Sequence, residues 1–202
     1  MATRIPEAQP PYPGDVQERL EAMMPKGVAP LRLFTTLARD QRLFKRFMAG
    51  SLLDKGNLSL RHREIVINRI TALSHSEYEW GVHVAFFAER AGLGEAQVSS
   101  TAQAGAADPV WSEPERALIT VCDQLHATCD IDDDAWNAIR AHFSEEAILE
   151  ILMLAGSYRM VSYLTNALRL PCETLQRARR AVAEESATKT ATGMFVSDRV
   201  WK

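Results

Sequence analysis

Apolar residues recur along this chain at spacings of three and four, the repeat of α-helices that bury one face. The first repeat starts after Asp15 and is interrupted at Pro25 and Gly27, residues that break helices. Proline at position 30 suits the first turn of a second helix, and a third follows after Asp40. The helices predicted in this part of the chain cover residues 15–24, 30–39 and 41–53.

The most apolar segment of the chain predicts a central helix and a partner. Ser59 is a suitable cap, and the apolar positions after it are nearly continuous, which indicates burial on most sides. The polar run 74–76 interrupts this helix, and an aromatic helix follows until Gly92, a plausible C-terminal cap. The apolar positions of the central helix are Ile65, Val66, Ile67, Ile70 and Leu73.

Three more helices are predicted downstream, and no segment has the alternation of a strand. They start at Ser112, Asp132 and Ser144, each a preferred N-cap residue. We expect Gly156 to interrupt the last one, so that the order of helix, polar break and aromatic helix is repeated. This echo suggests an internal duplication, and the predicted fold class is an all-α helical bundle.

The length of 202 residues, with 47% apolar residues, favours one domain with a sizeable core. Four prolines in the first 13 residues predict an extended N-terminal arm at residues 1–14. The single helical domain is expected at residues 15–183. Residues 184–202 form a small, polar tail with an isolated apolar end, which we expect to dock on its own subunit or on a neighbour.

Charge and the lack of targeting segments exclude several functional classes. A net charge of −3 with interleaved basic residues gives no field for nucleic acid. Neither a secretory signal nor a run of 18 apolar residues is present, so we expect a cytoplasmic protein with no membrane contact. The three cysteines, Cys122, Cys129 and Cys172, match no metal or redox motif and are each predicted to be buried.

The candidate chemistry lies at the junction of the central helix and the aromatic helix. Glu79 and His83 are four residues apart and share a helix face, and a carboxylate beside an imidazole is a basis for proton transfer. Glu64 could meet them if the two helices pack antiparallel. An alternative is structural, because Ser76 and Glu79 also form a capping box, with Ser74 as a competing cap.

Other residues near this junction are weaker candidates. His75, Glu79 and His83 form a stripe that drifts around the helix, so we expect no metal ion. In the echoed segment Tyr158, Arg159 and Tyr163 could line the opposite wall of a cavity, or could be polar residues of a helix interface. The substrate-binding candidates are Ser76, Tyr78, Tyr158, Arg159 and Tyr163.

The motifs REIVI, YEWxxH and GxYxMV, within residues 58–171, resemble the carboxymuconolactone decarboxylase-like superfamily, which includes alkylhydroperoxidase D. Its peroxidases carry a glutamate, two cysteines as CxxC and a histidine at the spacing of Glu64, Ser76, Glu79 and His83. The resemblance implies an all-helical fold and homo-oligomers, as dimers, trimers or hexamers. It does not imply peroxidase chemistry, since serine and glutamate cannot form a disulfide.

We therefore expect an enzyme, a cofactor-independent lyase or isomerase that moves a proton on a small cyclic acid or lactone. His83 is the predicted general acid or base, Glu79 orients it, and Glu64 relays or holds a proton. One alternative is a non-catalytic oligomeric binding protein in which Glu79 only caps its helix. Another is residual peroxide reduction by Cys122 or Cys129.

Overall fold

The computed structural model describes residues 2–24 and 28–173. Within these ranges the chain forms helices and no strand, so the predicted all-α fold is confirmed. The predicted C-terminal tail and the end of the predicted domain lie outside the described residues. The helices are α1 (Val16–Met23), α2 (Arg32–Leu37), α3 (Gln41–Ala49), α4 (Leu60–Leu73), α5 (Glu77–Phe87), α6 (Glu95–Gln103), α7 (Glu113–Thr128), α8 (Asp133–Arg140) and α9 (Glu145–Leu168), with a short 3-10 helix at Gly105–Ala107.

The helix α4 is the centre of the fold, as its apolar sequence predicts. Every residue from Glu64 to Thr71 is buried, because α5, α6, α7 and α9 pack around it. Its isoleucines join the main core with residues of α7 and α9. A helix enclosed on all sides must also bury its polar residues, and this places Glu64 in the interior.

Side-chain caps set the starts of the helices where the sequence predicts them. The Ser59 hydroxyl accepts a hydrogen bond from the His62 amide (3.1 Å), and Ser144 accepts one from Ala147 (3.3 Å). Asp132 caps α8 through the Ala135 amide (2.8 Å). Such caps satisfy amides that have no partner inside the helix.

Several predicted helix ends are wrong. The helix α2 is shorter than predicted, and α3 ends at Ala49 because Gly50 stops it. The helix α5 ends at Phe87, although Gly92 closes the turn that follows, with a φ of 66°. The small helix α6 was not predicted, because its polar sequence shows little apolar repeat.

The predicted interruption at Gly156 is also wrong, because α9 runs unbroken from Glu145 to Leu168. A glycine inside a helix costs only about 1 kcal/mol relative to alanine. Burial of nine residues of α9 offsets this cost. The repeated order of helix, break and helix is therefore absent from the second half.

By length and composition alone α9 could cross a membrane, but its buried face belongs to the core, as in other central helices.

The cysteine prediction holds for one residue of three. Cys122 is buried in the core, Cys172 is half-buried, and Cys129 is exposed. Cys129 follows the end of α7 with a φ of 60°, where the chain turns outward. The apolar repeat of α7 ends before Cys129, so the repeat could not predict that Cys129 is exposed.

The N-terminal segment, residues 2–14, has no helix and lies along the bundle. The Arg4 amide donates to the Leu168 carbonyl (3.0 Å), and the Ala8 amide donates to the Thr35 carbonyl (3.1 Å). These bonds join the segment to the end of α9 and to α2.

Replacing Gly105 by alanine should destabilise the protein by roughly 1–3 kcal/mol. The residue has a φ of 75°, and an added Cβ would lie 2.6 Å from Nη2 of Arg69, whose guanidinium bonds Asp123 (2.6 Å). Urea unfolding would measure the loss. The control is Gly94→Ala, where nothing lies within 4 Å of the added carbon. An equal effect in both variants would contradict this account.

Candidate functional site

A tight turn between α4 and α5 brings the ends of the two helices together. His75 has a φ of 52°, and the Ser76 amide donates to the Thr71 carbonyl (2.9 Å). The chain therefore reverses, and α5 packs back against α4. In this arrangement Glu64, near the start of α4, meets His83, near the end of α5, as predicted.

His83 is held through both ring nitrogens. Its Nδ1 lies 2.8 Å from Oε2 of Glu64, and its Nε2 lies 3.0 Å from the Tyr158 hydroxyl. Oε1 of Glu79 is 3.5 Å from the same Nε2. The ring stacks on Phe87, and Tyr158 meets it edge-on. The position and orientation of the imidazole are thus fixed from every side.

The geometry also answers whether Glu79 caps its helix or faces His83. Ser76 is the N-cap of α5, and its hydroxyl accepts a bond from the Glu79 amide (3.4 Å). The reciprocal half of a capping box would use the Ser76 amide, but that amide already bonds Thr71. The Glu79 carboxylate points to His83 instead. Glu79 therefore contributes its backbone to the cap and its side chain to the cluster.

Two carboxylates make His83 a strong base. Burial by itself lowers the pKa of an imidazole, because it disfavours the charged ring. Hydrogen bonds and charge from Glu64 and Glu79 outweigh this effect and raise the pKa of His83 to about 9. With this pKa we expect the ring to be protonated at neutral pH and to donate from both nitrogens. Burial also raises the pKa of the Tyr158 hydroxyl, and the nearby negative charge of Glu79 and Glu64 adds to this shift.

The two glutamates differ in their distance from solvent. Glu64 is completely buried, His83 is 3% exposed and Glu79 is 7% exposed. The shorter bond to His83 also comes from Glu64. Glu64 is thus the inner residue that fixes the ring, and Glu79 is the outer one. The sequence predicted that Glu79 orients His83. In the structure Glu64 makes the shorter contact with the ring, 2.8 Å against 3.5 Å for Glu79.

Arg63, which directly precedes Glu64, also lies beside the cluster. Nε of Arg63 lies 4.0 Å from Oε1 of Glu64, and its Nη1 bonds the Leu53 carbonyl (2.9 Å). Within the described ranges neither Arg63 Nε nor Glu64 Oε1 has a hydrogen-bond partner. Phe87, four residues after His83, could have been found from helix spacing.

Two of the predicted substrate-binding residues, Ser76 and Tyr78, lie beside a crevice at the start of α5. Tyr78 lines this crevice of about 280 Å³, together with Thr165 and Arg169. Ser76 is fully buried behind it and shares a hydrogen bond with the Thr165 hydroxyl (2.7 Å). Burial raises the pKa of Tyr78, and the carboxylate of Glu173 adds to the shift.

Tyr158 joins the His83 cluster, whereas Arg159 and Tyr163 lie on other faces of α9. Nε of Arg159 donates to the Tyr163 hydroxyl (3.0 Å), and its Nη1 donates to the His126 carbonyl (2.8 Å). Tyr163 is exposed. In the described part of the chain no group of acidic, histidine and cysteine side chains is arranged to hold a metal ion.

No protein-family model and no curated protein matches this chain, but several solved structures share its fold. An uncharacterised peroxidase-related protein from Silicibacter sp. TM1040 is 16% identical, with a TM-score of 0.74 over 86% of this chain and 95% of the other. The debrominase Bmp8, in complex with 2,3,4-tribromopyrrole, is 15% identical, with a TM-score of 0.72 over 88% and 96%.

A putative antioxidant defence protein AhpD from Agrobacterium tumefaciens is 24% identical, with a TM-score of 0.59 over 67% of this chain and 94% of the other. The chain therefore has the alkylhydroperoxidase D-like fold, as the sequence resemblance implied.

The raised pKa of His83 predicts a loss of stability in alkaline solution. Below about pH 6.5 the ring is protonated in the folded and unfolded states, so its charged contacts contribute in full. Between pH 6.5 and about 9 only the folded state holds the proton, so the free energy of unfolding falls, by at most about 1.4 kcal/mol per pH unit.

Urea unfolding from pH 6 to 8 measures this slope, below the range in which cysteine side chains of the unfolded chain lose their protons. It should be absent in His83→Gln and retained in His126→Gln, which removes a histidine outside the cluster. A wild-type slope no steeper than that of His83→Gln would show that the ring is neutral when folded.

Proposed function

We propose that this protein is a cofactor-independent lyase or isomerase that transfers a proton to or from a small cyclic acid or lactone. The observation that carries the proposal is that both ring nitrogens of His83 have polar partners. Glu64 contacts Nδ1, and Tyr158 and Glu79 contact Nε2. A buried imidazolium between two carboxylates can give up a proton and take it back. General acid–base catalysis of this kind contributes typically about 10²–10⁴-fold.

The three acidic and basic residues have distinct roles in this proposal. His83 is the resting proton donor, because its raised pKa keeps it charged near neutral pH. Glu64 fixes the ring through Nδ1, so the transferred proton leaves from Nε2. Glu79 lies on that side and nearest to solvent, so it passes the proton between Nε2 and the substrate. On return of the proton to Nε2 the cluster is restored.

The crevice at the start of α5 is the candidate place for a small polar substrate. Its volume of about 280 Å³ is near the lower limit of typical ligand pockets. Arg169 supplies a cation and Glu77 a carboxylate there, and Tyr78, Thr165 and Asn166 supply hydrogen-bonding groups. Among the described residues, the lining of this crevice includes Tyr78 but not Glu64, Glu79 or His83. The debrominase of the same fold is in complex with a small ring, tribromopyrrole.

The cysteines do not support peroxide reduction. A thiolate is needed to attack peroxide, and burial raises the pKa of the Cys122 thiol well above its usual range. Cys129 is exposed, but its would-be partner seven residues earlier is enclosed in the core. Ser76 and Glu79 occupy the positions of the redox pair. We therefore do not propose this activity.

One observation favours a second candidate, a non-catalytic binding protein. Glu64 and His83 are almost completely enclosed within the subunit, and such a cluster can serve packing alone. In this candidate the crevice binds a small acid, and the His83 cluster holds α4, α5 and α9 together. The two candidates differ in whether the bound molecule exchanges protons.

The test is incorporation of solvent deuterium into a panel of small lactones and cyclic acids. For any substrate found, His83→Gln and Glu79→Gln should each lower the rate by roughly 10²–10⁴-fold, because each removes one partner of the proton transfer. The matched control is Glu115→Gln, since Glu115 is also a buried carboxylate but pairs with Arg61 and caps α7.

Near-normal rates in both cluster variants would refute the proposal. Binding of a cyclic acid with no exchange, unchanged in His83→Gln, would support the binding-protein candidate.

A further inference from the structure

Tyr158 brings to the His83 cluster a hydroxyl to which the proposed proton transfer assigns no role. Its ring packs in the main core and meets the imidazole edge-on. Its oxygen lies 3.0 Å from Nε2 of His83. Burial raises the pKa of this hydroxyl, and the negative charge of Glu79 and Glu64 adds to the shift, so the hydroxyl keeps its proton at neutral pH.

The hydrogen bond to His83 leaves the proton of Tyr158 free to bond another molecule. A phenol has one proton to donate and lone pairs that accept. When Nε2 is protonated, the ring donates and the Tyr158 oxygen accepts. No second hydrogen-bond partner of this hydroxyl lies within residues 2–24 and 28–173. Accepting a bond from a cation also makes the hydroxyl a stronger donor, because linked hydrogen bonds polarise one another.

Tyr158 and Glu79 are the two members of the cluster that reach furthest toward solvent. Each is 7% exposed, whereas Glu64 is completely buried and His83 is 3% exposed. Both lie on the Nε2 side of the ring, Tyr158 at 3.0 Å and Glu79 at 3.5 Å. A molecule that enters from this side therefore meets a carboxylate, which can take a proton, and a hydroxyl, which can give one.

We propose that the Tyr158 hydroxyl holds the carbonyl oxygen of the substrate and gives it a proton, and that the substrate is a cyclic carbonyl compound with hydrogen on the neighbouring carbon. This inference rests on the proposed function and names the substrate class and a further catalytic residue for it. Loss of a proton from that carbon moves negative charge to the carbonyl oxygen. A donor fixed at this oxygen stabilises the charge as it develops.

The protons and electrons of this step balance around the cluster. Glu79 takes the proton from carbon, the electron pair of the broken C–H bond forms a C=C bond, and the carbonyl π pair moves to oxygen. The oxygen takes the proton of Tyr158, and Tyr158 takes the Nε2 proton of His83. Glu79 then returns its proton to Nε2. The product is an enol, the cluster regains its starting state, and no oxidant or reductant is consumed.

NMR titration of the full chain with two six-membered ring ligands tests the proposal. Cyclohexane-1,3-dione ionises to an enolate near neutral pH and resembles the product of the step, whereas cyclohexanone is a neutral carbonyl of similar size. The wild type should bind the dione at least about tenfold more tightly than cyclohexanone. Tyr158→Phe should remove most of this preference, because a hydroxyl bonds a charged oxygen more strongly than a neutral one.

Glu79→Gln should have the opposite effect on binding. It should bind the dione at least as tightly as the wild type, because a neutral amide resembles the protonated carboxyl that accompanies the enolate. The matched control is Tyr163→Phe, which changes an exposed tyrosine of the same helix and should keep the wild-type preference. Urea unfolding of each variant shows that it folds. In the deuterium assay Tyr158→Phe should lower the rate by roughly 10²–10³-fold.

An unchanged preference in Tyr158→Phe would overturn the inference, as would a wild type that does not prefer the dione. So would binding of the dione that is lost in Arg169→Gln but kept in Tyr158→Phe, because the ligand would then lie in the crevice. A preference that depends on Tyr158, in a protein that exchanges deuterium into no substrate, would refute the proposed function and retain the enolate site.

Discussion

The rest of the structure depends on the carboxylate of Glu64, which is buried on the apolar central helix α4. Glu64 is completely buried in α4, where an unpaired carboxylate would cost several kcal/mol. The Nδ1 proton of His83 compensates this charge at 2.8 Å. For the two residues to meet, α5 must fold back along α4, and α9 must place Tyr158 on the other nitrogen. The arrangement of the three helices and the protonation of one ring are therefore linked.

The turn between α4 and α5 gives Ser76 and Glu79 separate structural roles. Ser76 caps α5 and bonds Thr165 of α9, so it works as a buried structural hydroxyl. Glu79 gives its amide to that cap and its carboxylate to His83.

Much of the fold could be predicted because local signals and burial agree. Ser59, Ser112, Asp132 and Ser144 cap the helices that their positions predict, and the continuous apolar run of α4 identifies the central helix. Which carboxylate lies closer to His83 could not be predicted, because helix spacing shows which residues share a face but not the distances between their side chains. The sequence predicts a break at Gly156, because it does not show how many residues of α9 are buried and stabilise the helix.

The most direct test of the central claim is the nitrogen NMR spectrum of the His83 ring, with ¹⁵N-labelled histidine, recorded as a function of pH. The account predicts that both ring nitrogens carry protons at pH 7 and that the ring titrates near pH 9. Assignment is made with His83→Gln, which removes the signals. A ring that is neutral at pH 7, with a pKa at or below the usual 6.5, would contradict the account.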